Sequence, residues 1–252
     1  MRVWPKACHG SYYVKNRVDL VFQINTLNDT IAEDVFLREL VAAMGTANRK
    51  CFNTISLWNV NLPAQDEVYP RAANKMFHSA FSDARHRGYE AFFWMEHDVQ
   101  PVVKNWLDRL YVDVVRHEVD YVMLGSIPQN KKWASLNLAS PHFYMDHING
   151  AALYSTQPDS IELFNYVEKV GKNHPDLAWD ALISFIFHEW MAHGNSASWD
   201  MKVKFASKYR YHEFIYNNLG SDWRPSEYPK GTIFVHGNAQ STGNQLYSSQ
   251  GL

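Results

Sequence analysis

Two carboxylates and an imidazole follow directly on an apolar run in the segment FFWMEHDVQP (92–101). Glu96 and Asp98 are two positions apart, so in extended backbone their side chains point to one side and His97 to the other. Converging carboxylate oxygens are the ligands that Mg²⁺ and Mn²⁺ prefer. Because E-x-D is a short motif, an exposed turn that carries acids by chance is the alternative. The spacing therefore predicts a divalent-metal site at a strand end or a solvated turn.

Strand-like and helix-like segments alternate around this stretch and would have to position it. Short apolar runs predict strands, and apolar residues at helical spacing predict helices. The predicted strands are 19–25, 54–60, 90–95, 121–127 and 148–155, with further candidates at 201–206 and 232–236. The predicted helices run from Thr30 to Gly45, from Pro70 to Arg87, over 106–115, from Asp159 or Ser160 to Gly171, and from Asp176 to His193.

This alternation predicts an α/β fold with a mostly parallel sheet flanked by helices. Ligands of such folds bind beyond the carboxyl ends of the strands, and Glu96 and Asp98 stand at such an end. A length of 252 residues with 46% apolar residues suits one large domain. The net charge of −2 argues against nucleic-acid partners and against a polybasic membrane surface.

Cysteine content and hydropathy bear on the cellular compartment. The two cysteines, Cys8 and Cys51, do not suggest a disulfide framework, so we interpret both as structural thiols in a reducing compartment. The first residues contain no apolar core of a signal peptide, and no apolar stretch approaches the ~20 residues of a membrane span. These observations predict a cytoplasmic chain without a membrane span.

The segment FFWMEHDVQPVVKNWLD resembles the strand and metal-binding turn of the GT-A glycosyltransferases, which carry D-x-D or a variant such as E-x-D there. Pro101 and the pair Trp106-Leu107 stand where that family commonly has a proline and a Trp-Leu pair. Three later segments are similar, in order, to the family's acceptor-side strand, its catalytic helix start and a late strand with a metal-binding histidine. They are HINGAALYS (147–155), DLAWDALISF (176–185) and TIFVHGN (232–238).

The resemblance implies a GT-A-like Rossmann-type sandwich forming one domain over 1–252. Its nucleotide-sugar-binding half would be 19–127 and its acceptor-binding half 128–252. It implies transfer of a hexose or pentose from a UDP-, GDP- or dTDP-sugar to a hydroxyl of a glycan or glycoconjugate. It also implies Mn²⁺ or Mg²⁺ as the cofactor and inversion at the sugar carbon. The chain would then be cytoplasmic or the luminal catalytic domain of a membrane-tethered enzyme.

Metal binding is assigned by the resemblance to three residues. Asp98 would bind the ion directly, and Glu96 would do so directly or through water and the ribose of the donor. His236 would add a ligand from the late strand. The alternative for His236 is a strand-end histidine that makes one hydrogen bond, because the chain has 12 histidines.

The resemblance assigns the catalytic base to Asp180, in the first turn of its helix. There the helix dipole stabilises a carboxylate, and a partly buried pocket beside Trp179 would restore its basicity. An ordinary acidic residue at a helix start is the alternative for Asp180. Asp176 is better placed as a helix N-cap.

Substrate contacts are expected from both halves. Asn25 and Thr26, after the first strand, would contact the nucleobase, and Asn149 and Gly150 would border the acceptor pocket. Three residues of the second helix would approach the donor diphosphate or remain solvated: Arg71, Asn74 and Lys75.

Three other functions remain open. A sugar nucleotidyltransferase would want a glycine-rich, basic loop after the first strand, and QINTLNDT (23–30) lacks one. A nucleotide-sugar hydrolase differs only in that water attacks instead of a sugar hydroxyl. A non-catalytic carbohydrate-binding protein could share the fold, although Glu96, Asp98 and Asp180 are all present.

Overall fold

The computed structural model describes residues 4–9, 18–25, 30–116, 120–128, 147–192, 203–218 and 228–237. The strands are β1 (Leu20–Ile24), β2 (Ile55–Asn59), β3 (Ala91–Phe93), β4 (Val99–Pro101), β5 (Met123–Gly125), β6 (Leu153–Ser155), β7 (Tyr209–Tyr211), β8 (Ile215–Asn217) and β9 (Phe234–His236). The helices are α1 (Thr30–Arg49), α2 (Arg71–His86), α3 (Trp106–Arg109), α4 (Pro158–Gly171) and α5 (Trp179–Ala192). A π-helical stretch, Leu110–Val115, continues α3, and a short 3₁₀ helix spans Ala64–Asp66.

The long helices follow the predicted apolar periodicity. Helix α2 buries Phe77, Ala80, Phe81 and Ala84 along one face, and Gly88 follows it with a φ of +76°. Gly45 interrupts α1 with non-helical backbone at φ 74° and ψ 156°, where the sequence predicts an end. Only glycine adopts such backbone at low cost, so this residue sets the break.

The strands form sheets of mixed direction. Strands β1 and β2 pair in parallel, and a four-stranded sheet has the order β3-β6-β5-β7. Within it β6 runs antiparallel to both neighbours, whereas β5 and β7 are parallel. The third sheet, β4-β9-β8, joins an antiparallel pair to a parallel one. The predicted α/β fold is confirmed, and the direction of β6 is a feature that alternation of elements does not reveal.

Two apolar clusters hold these layers together. The first packs α2, α4 and α5 against β6 through buried aromatic rings, including Phe77, Tyr154, Phe164 and Trp179. The second surrounds Trp106 and reaches from β9 to the end of α1. Within the described residues, no helix has both the length and the apolarity that a membrane crossing requires.

Cys8 and Cys51 form a disulfide, so the interpretation of both as separate thiols is wrong. Their Cα atoms are 5.7 Å apart, although the two residues are separated by 43 positions in the chain. Sequence spacing carries no information about this proximity, because it arises where the segment 4–9 packs beside the end of α1. The inference of a reducing compartment thereby loses its basis.

The later part of the chain differs from the prediction in several places. Residues 203–206 are helical, not a strand. Strands β7 and β8 lie in a region where we predicted no strand, because YRY and IYN are short segments that include polar residues and lie in no longer apolar run. Helix α4 starts at Pro158, with Gln157 as the N-cap, because proline is well suited to the first helical position.

Candidate functional site

A tight turn presents Glu96 and Asp98. Strand β3 ends at Phe93, and the N–H of Val99 then donates to the carbonyl of Glu96 at 3.0 Å, which closes the turn before β4 begins. The two carboxylates converge as predicted, but a turn brings them together and not extended backbone, because residues 96–98 lie in no strand. The intervening His97 is exposed.

His236 reaches this turn through the pairing of two strands. In the antiparallel pair β4–β9, Val99 lies opposite His236, and this places the imidazole beside the residue that precedes Val99. The N–H of Gly237 adds a hydrogen bond of 3.3 Å to the carbonyl of Asp98. The sequence-distant histidine and the E-x-D turn thus belong to one local structure.

Glu96, Asp98 and His236 bring their ligand atoms within 4.8 Å of one another. The Nε2 atom of His236 is 3.0 Å from Asp98 Oδ1 and 3.2 Å from Glu96 Oε2. The carboxylate side chains are each 28% exposed, whereas that of His236 is only 2% exposed. The group combines one nitrogen with two carboxylates, which suits a divalent transition metal, and it is open on the carboxylate side.

The electrostatics of this group favour a cation at its centre. Burial disfavours a charged imidazole, but the hydrogen bonds and charges of Asp98 and Glu96 outweigh it and raise the pKa of His236 to about 9. Burial likewise opposes ionisation of Asp98, but the hydrogen bond with His236 holds the pKa of that carboxyl below its ordinary value. A bare nitrogen facing two carboxylates is repulsive unless a proton or a metal ion stands between them, so the residues fit a metal site.

Asp180 lies in the first turn of α5 and is buried. Its Oδ2 atom accepts a hydrogen bond from the Gly150 N–H at 2.8 Å, and Oδ1 accepts one from the Ala181 N–H at 2.8 Å. His147 Nε2 is 3.8 Å from Oδ2. The ring of Trp179 stacks on Phe77 with centroids 4.7 Å apart, so the start of α5 is anchored in the aromatic core.

Gly150 connects this carboxylate with the Glu96 turn. A Cβ atom at Gly150 would lie 2.6 Å from Glu96 Oε1 and 2.7 Å from the Trp179 ring, so the glycine backbone is in close contact with both. The neighbouring Asn149 is buried, and its side-chain oxygen accepts a hydrogen bond from the Ala151 N–H at 3.3 Å. One cavity is lined by Glu96, Asp98, His147, Asn149, Trp179, Asp180 and His236.

The residues predicted to contact the donor form a separate group around residues 62–67. Asn25 accepts from the Leu62 N–H at 2.5 Å and donates to Glu67 at 3.1 Å. Lys75 and Arg71 approach Asp66 at 2.5 Å and 3.6 Å, and the hydrogen bond from Lys75 lowers the pKa of that carboxyl. Thr26 lies outside the described residues.

Asn74 serves the fold at the start of α5. Its Oδ1 accepts a hydrogen bond from the Trp179 N–H at 2.8 Å, and its Nδ2 donates to the Leu177 carbonyl at 2.9 Å. The side chain of Asn74 therefore caps this helix from α2, the role that we predicted for Asp176. The local sequence gives no sign of this, because the capping residue lies 105 positions away from the N–H it accepts.

Three buried polar residues near the site were not predicted from the sequence: Ser126, His147 and Asn217. Asn217 Oδ1 lies 3.0 Å from His236 Nδ1, and its Nδ2 lies 2.6 Å from the Ser126 carbonyl. The only available signal was their polar character beside apolar strands, and such residues are common in loops.

Comparison with known proteins gives little further information. No protein-family model and no curated protein matches the chain. Among solved structures, it is similar to the crystal structure of a glycosyltransferase involved in the glycosylation of the major capsid of PBCV-1. The identity is 13% and the TM-score 0.43, over 90% of this chain and 94% of that chain. A likeness of this size carries no argument about activity.

Proposed function

We propose that the chain is a glycosyltransferase that moves a hexose or pentose from a nucleotide diphosphate sugar to an acceptor hydroxyl with a divalent metal ion. The observation that carries the proposal is that three carboxylates line one cavity, a pair on one side of Gly150 and a single one on the other. Glu96 and Asp98 converge with His236, and Asp180 lies on the other side of Gly150. Such a cavity can do two things at once. The group of three residues can hold a cation that activates the donor, and Asp180 can remove a proton from the acceptor.

Glu96, Asp98 and His236 would hold Mn²⁺ or Mg²⁺, which neutralises the negative charge of a leaving diphosphate. The open side of the group lies towards the cavity, where the carboxylates are partly exposed. His236 is enclosed and would set the ion's position from behind. The buried surroundings strengthen these interactions because little water screens them.

Asp180 would act as the general base. It would take the proton of the acceptor hydroxyl while that oxygen bonds to the anomeric carbon of the donor sugar. The bond between that carbon and the diphosphate oxygen breaks, and its electron pair leaves with the diphosphate. The two N–H groups of Gly150 and Ala181 hold the carboxylate in one orientation, as such a role requires. Attack from the face opposite the leaving group would give inversion.

The remaining assignments follow the two halves of the chain within one domain. Residues 19–127 would bind the donor, with Asn25 and the neighbouring Thr26 near the base, and residues 128–252 would bind a glycan or glycoconjugate acceptor. Arg71 and Lys75 offer cations at the start of α2, beside Asp66. A luminal catalytic domain suits the Cys8–Cys51 disulfide, because disulfides persist in oxidising compartments.

A donor screen tests the proposal. The purified chain is incubated with UDP-, GDP- and dTDP-sugars and Mn²⁺, and release of nucleoside diphosphate is measured with and without candidate glycan acceptors. At least one donor should be turned over, and a chelator should stop the reaction. Release of free sugar that no acceptor increases would identify a nucleotide-sugar hydrolase instead. Absence of turnover and of any donor-induced thermal shift would reject the proposal.

Exchange of Asp180 for asparagine tests its role. Asp180→Asn should abolish transfer, by about 100-fold or more, while donor binding measured by calorimetry stays unchanged, because only proton removal is lost. Asp176→Asn is the matched control, since this exposed carboxyl lies just before the same helix and should keep wild-type turnover. Transfer that survives in Asp180→Asn would show that another group is the base.

A further inference from the structure

A buried amide stands directly behind the imidazole of the candidate metal site. Asn217 is fully buried, and it faces His236 from the neighbouring strand, because β8 and β9 are parallel with these two residues in register. We propose that Asn217 is a positioning residue that determines which ring nitrogen of His236 carries the proton. It thereby presents the bare Nε2 atom to a cation held by Glu96 and Asp98. The inference rests on the metal site of the proposed function.

The orientation of the Asn217 amide follows from its surroundings. Its nitrogen end lies 2.6 Å from the Ser126 carbonyl oxygen, which can only accept a hydrogen bond. It also lies 2.9 Å from the Ser126 hydroxyl oxygen. That hydroxyl donates its only hydrogen bond to the Ile215 carbonyl at 2.6 Å, so it must accept the one from the amide. Both partners at this end are acceptors, and the end must therefore be the NH₂ group.

The opposite end of the amide is then the carbonyl oxygen Oδ1, which has no proton to give. It lies 3.0 Å from Nδ1 of His236, so Nδ1 must be the donor of this hydrogen bond. A neutral imidazole carries one N–H, and if this is on Nδ1 the Nε2 atom is a bare lone pair. Nε2 is the atom that faces Asp98 and Glu96 at 3.0 Å and 3.2 Å.

The Ser126 carbonyl also links the Asn217 amide to the part of the cavity that holds Asp180. The Ser126 carbonyl also accepts the backbone N–H of Asn149 at 3.1 Å, and the next residue, Gly150, donates to Asp180. Ser126 therefore fixes both the amide behind His236 and the backbone beside Asp180. A buried chain of hydrogen bonds of this kind orients a ligand by leaving its partners no alternative.

Nitrogen NMR of the wild-type chain tests the tautomer directly. The protein is labelled with ¹⁵N and loaded with Zn²⁺ as a diamagnetic ion, and the His236 ring signals are assigned by their loss in His236→Gln. The proton is expected on Nδ1. A proton on Nε2, with Nδ1 bare, would overturn the proposal whatever any variant does.

A second experiment tests whether Asn217 strengthens metal binding. The affinity for Mn²⁺ is measured without any donor, from the electron paramagnetic resonance of the free ion. Asn217→Leu keeps the volume but removes the acceptor, and its dissociation constant should rise about 10- to 100-fold. Thr156→Val is the matched control. It also deletes a buried hydroxyl, which donates to the Tyr89 carbonyl, but Thr156 pairs with Glu90 before β3 begins, at the end of the strand opposite Glu96, so the affinity should stay at the wild-type value.

The outcomes separate the two proposals. Equal Mn²⁺ affinity of wild type and Asn217→Leu overturns the positioning role and leaves the proposed function standing. Failure of the wild-type chain to bind Mn²⁺ overturns the metal-dependent function, and the positioning role falls with it, because no cation would then meet Nε2. If Asn217→Leu does not fold, the Mn²⁺ affinity is measured on Asn217→Ser instead, and the wild-type NMR spectrum still tests the tautomer.

Discussion

Gly150 contacts both acidic groups of the cavity, because its N–H donates to Asp180 and its α-carbon faces Glu96. An added methyl group would lie 2.6 Å from Glu96 Oε1 and 2.7 Å from the Trp179 ring, distances that carbon atoms do not reach. We expect Gly150→Ala to lower the free energy of unfolding by about 1–3 kcal/mol, because the backbone or Trp179 must move. Metal affinity should fall with it, because Glu96 is displaced. Thermal unfolding and Mn²⁺ titration measure the two effects.

Gly171 offers a matched control for this exchange. A methyl group there would meet only the tip of Leu182, at 3.0 Å, and that side chain can yield. Gly171→Ala should leave Mn²⁺ affinity unchanged. An equal loss of affinity in both variants would mean that Gly150 acts only through overall stability.

The imidazole of His236 predicts how the stability of the metal-free chain depends on pH. Its pKa in the folded state is about 9, against 6.5 for an ordinary histidine. A raised pKa stabilises the fold fully below pH 6.5, and the stabilisation is lost as the pH rises through 9. We expect a loss of roughly 3 kcal/mol over this range, measured by urea unfolding in the presence of a chelator.

His236→Gln should remove most of this pH dependence, since it cannot be protonated. Saturating Mn²⁺ should reverse the trend in the wild-type chain, because the ion competes with the proton for Nε2 and binds better at high pH. A slope that is the same in wild type and His236→Gln would assign the pH dependence to other groups.

Among the secondary-structure elements, the start of α5 depends on its contact with α2. The side chain of Asn74 accepts a hydrogen bond from the Trp179 N–H at 2.8 Å and donates one to the Leu177 carbonyl at 2.9 Å. We expect Asn74→Ala to lower the free energy of unfolding by about 1–2 kcal/mol, because a helix cap and a second hydrogen bond are lost. Turnover should also fall, since Asp180 follows Trp179 directly. Chemical unfolding and steady-state kinetics provide the measurements.

Asn173→Ala is the control for this element, because Asn173 is exposed in the turn that ends α4, between α4 and α5. It should change the free energy of unfolding by less than about 0.5 kcal/mol. If Asn74→Ala is equally mild, the cap must be replaced by water or by the backbone.

Elements of this fold could be predicted where they are long. Helices α1, α2, α4 and α5 show several turns of apolar spacing, and this spacing predicts each of them. Strands β4, β7 and β8 could not be predicted, because the segments VQP, YRY and IYN are short and include polar residues, whereas the equally short β3, β5, β6 and β9 lie within longer apolar runs. The apolar residues at 201–206 predict a strand, but residues 203–206 form a helical turn, with Phe205 buried in the core.

In the candidate site, the residues of local motifs could be predicted, and those that depend on distant pairings could not. Glu96, Asp98 and Asp180 lie in short local motifs that could be read directly, and their roles in catalysis stay predictions. The turn at 96–99, the cap by Asn74 and the amide of Asn217 depend on pairings between distant segments. Such pairings leave no local pattern in a single sequence, so only the structure reveals them.

At the scale of the whole molecule, the Cys8–Cys51 disulfide attaches the segment 4–9 to the body of the fold. That segment also packs Trp4 against Trp106, with ring centroids 5.5 Å apart, and Ala7 accepts a hydrogen bond from the Leu107 N–H. The bridge closes a loop of 43 residues that contains β1 and α1. We expect its removal in Cys8→Ala/Cys51→Ala to lower the free energy of unfolding by about 4 kcal/mol.

Unfolding with and without dithiothreitol measures this contribution. The wild-type chain should lose stability on reduction, and the double variant should be insensitive to the reductant. Wild-type protein that is equally stable in both conditions would show that the packing around Trp106 holds the segment without the covalent bond.

The strand β9 that supplies His236 comes late in the chain, whereas Glu96 and Asp98 lie before its middle. During synthesis, the E-x-D turn would leave the ribosome long before its third partner exists. A nascent chain that stops short of β9 would also lack the strand that pairs with β4 and supports the turn. The candidate metal site therefore forms only once β9 has been made, and if the proposed function holds, products that end before β9 should be unable to act on a sugar donor.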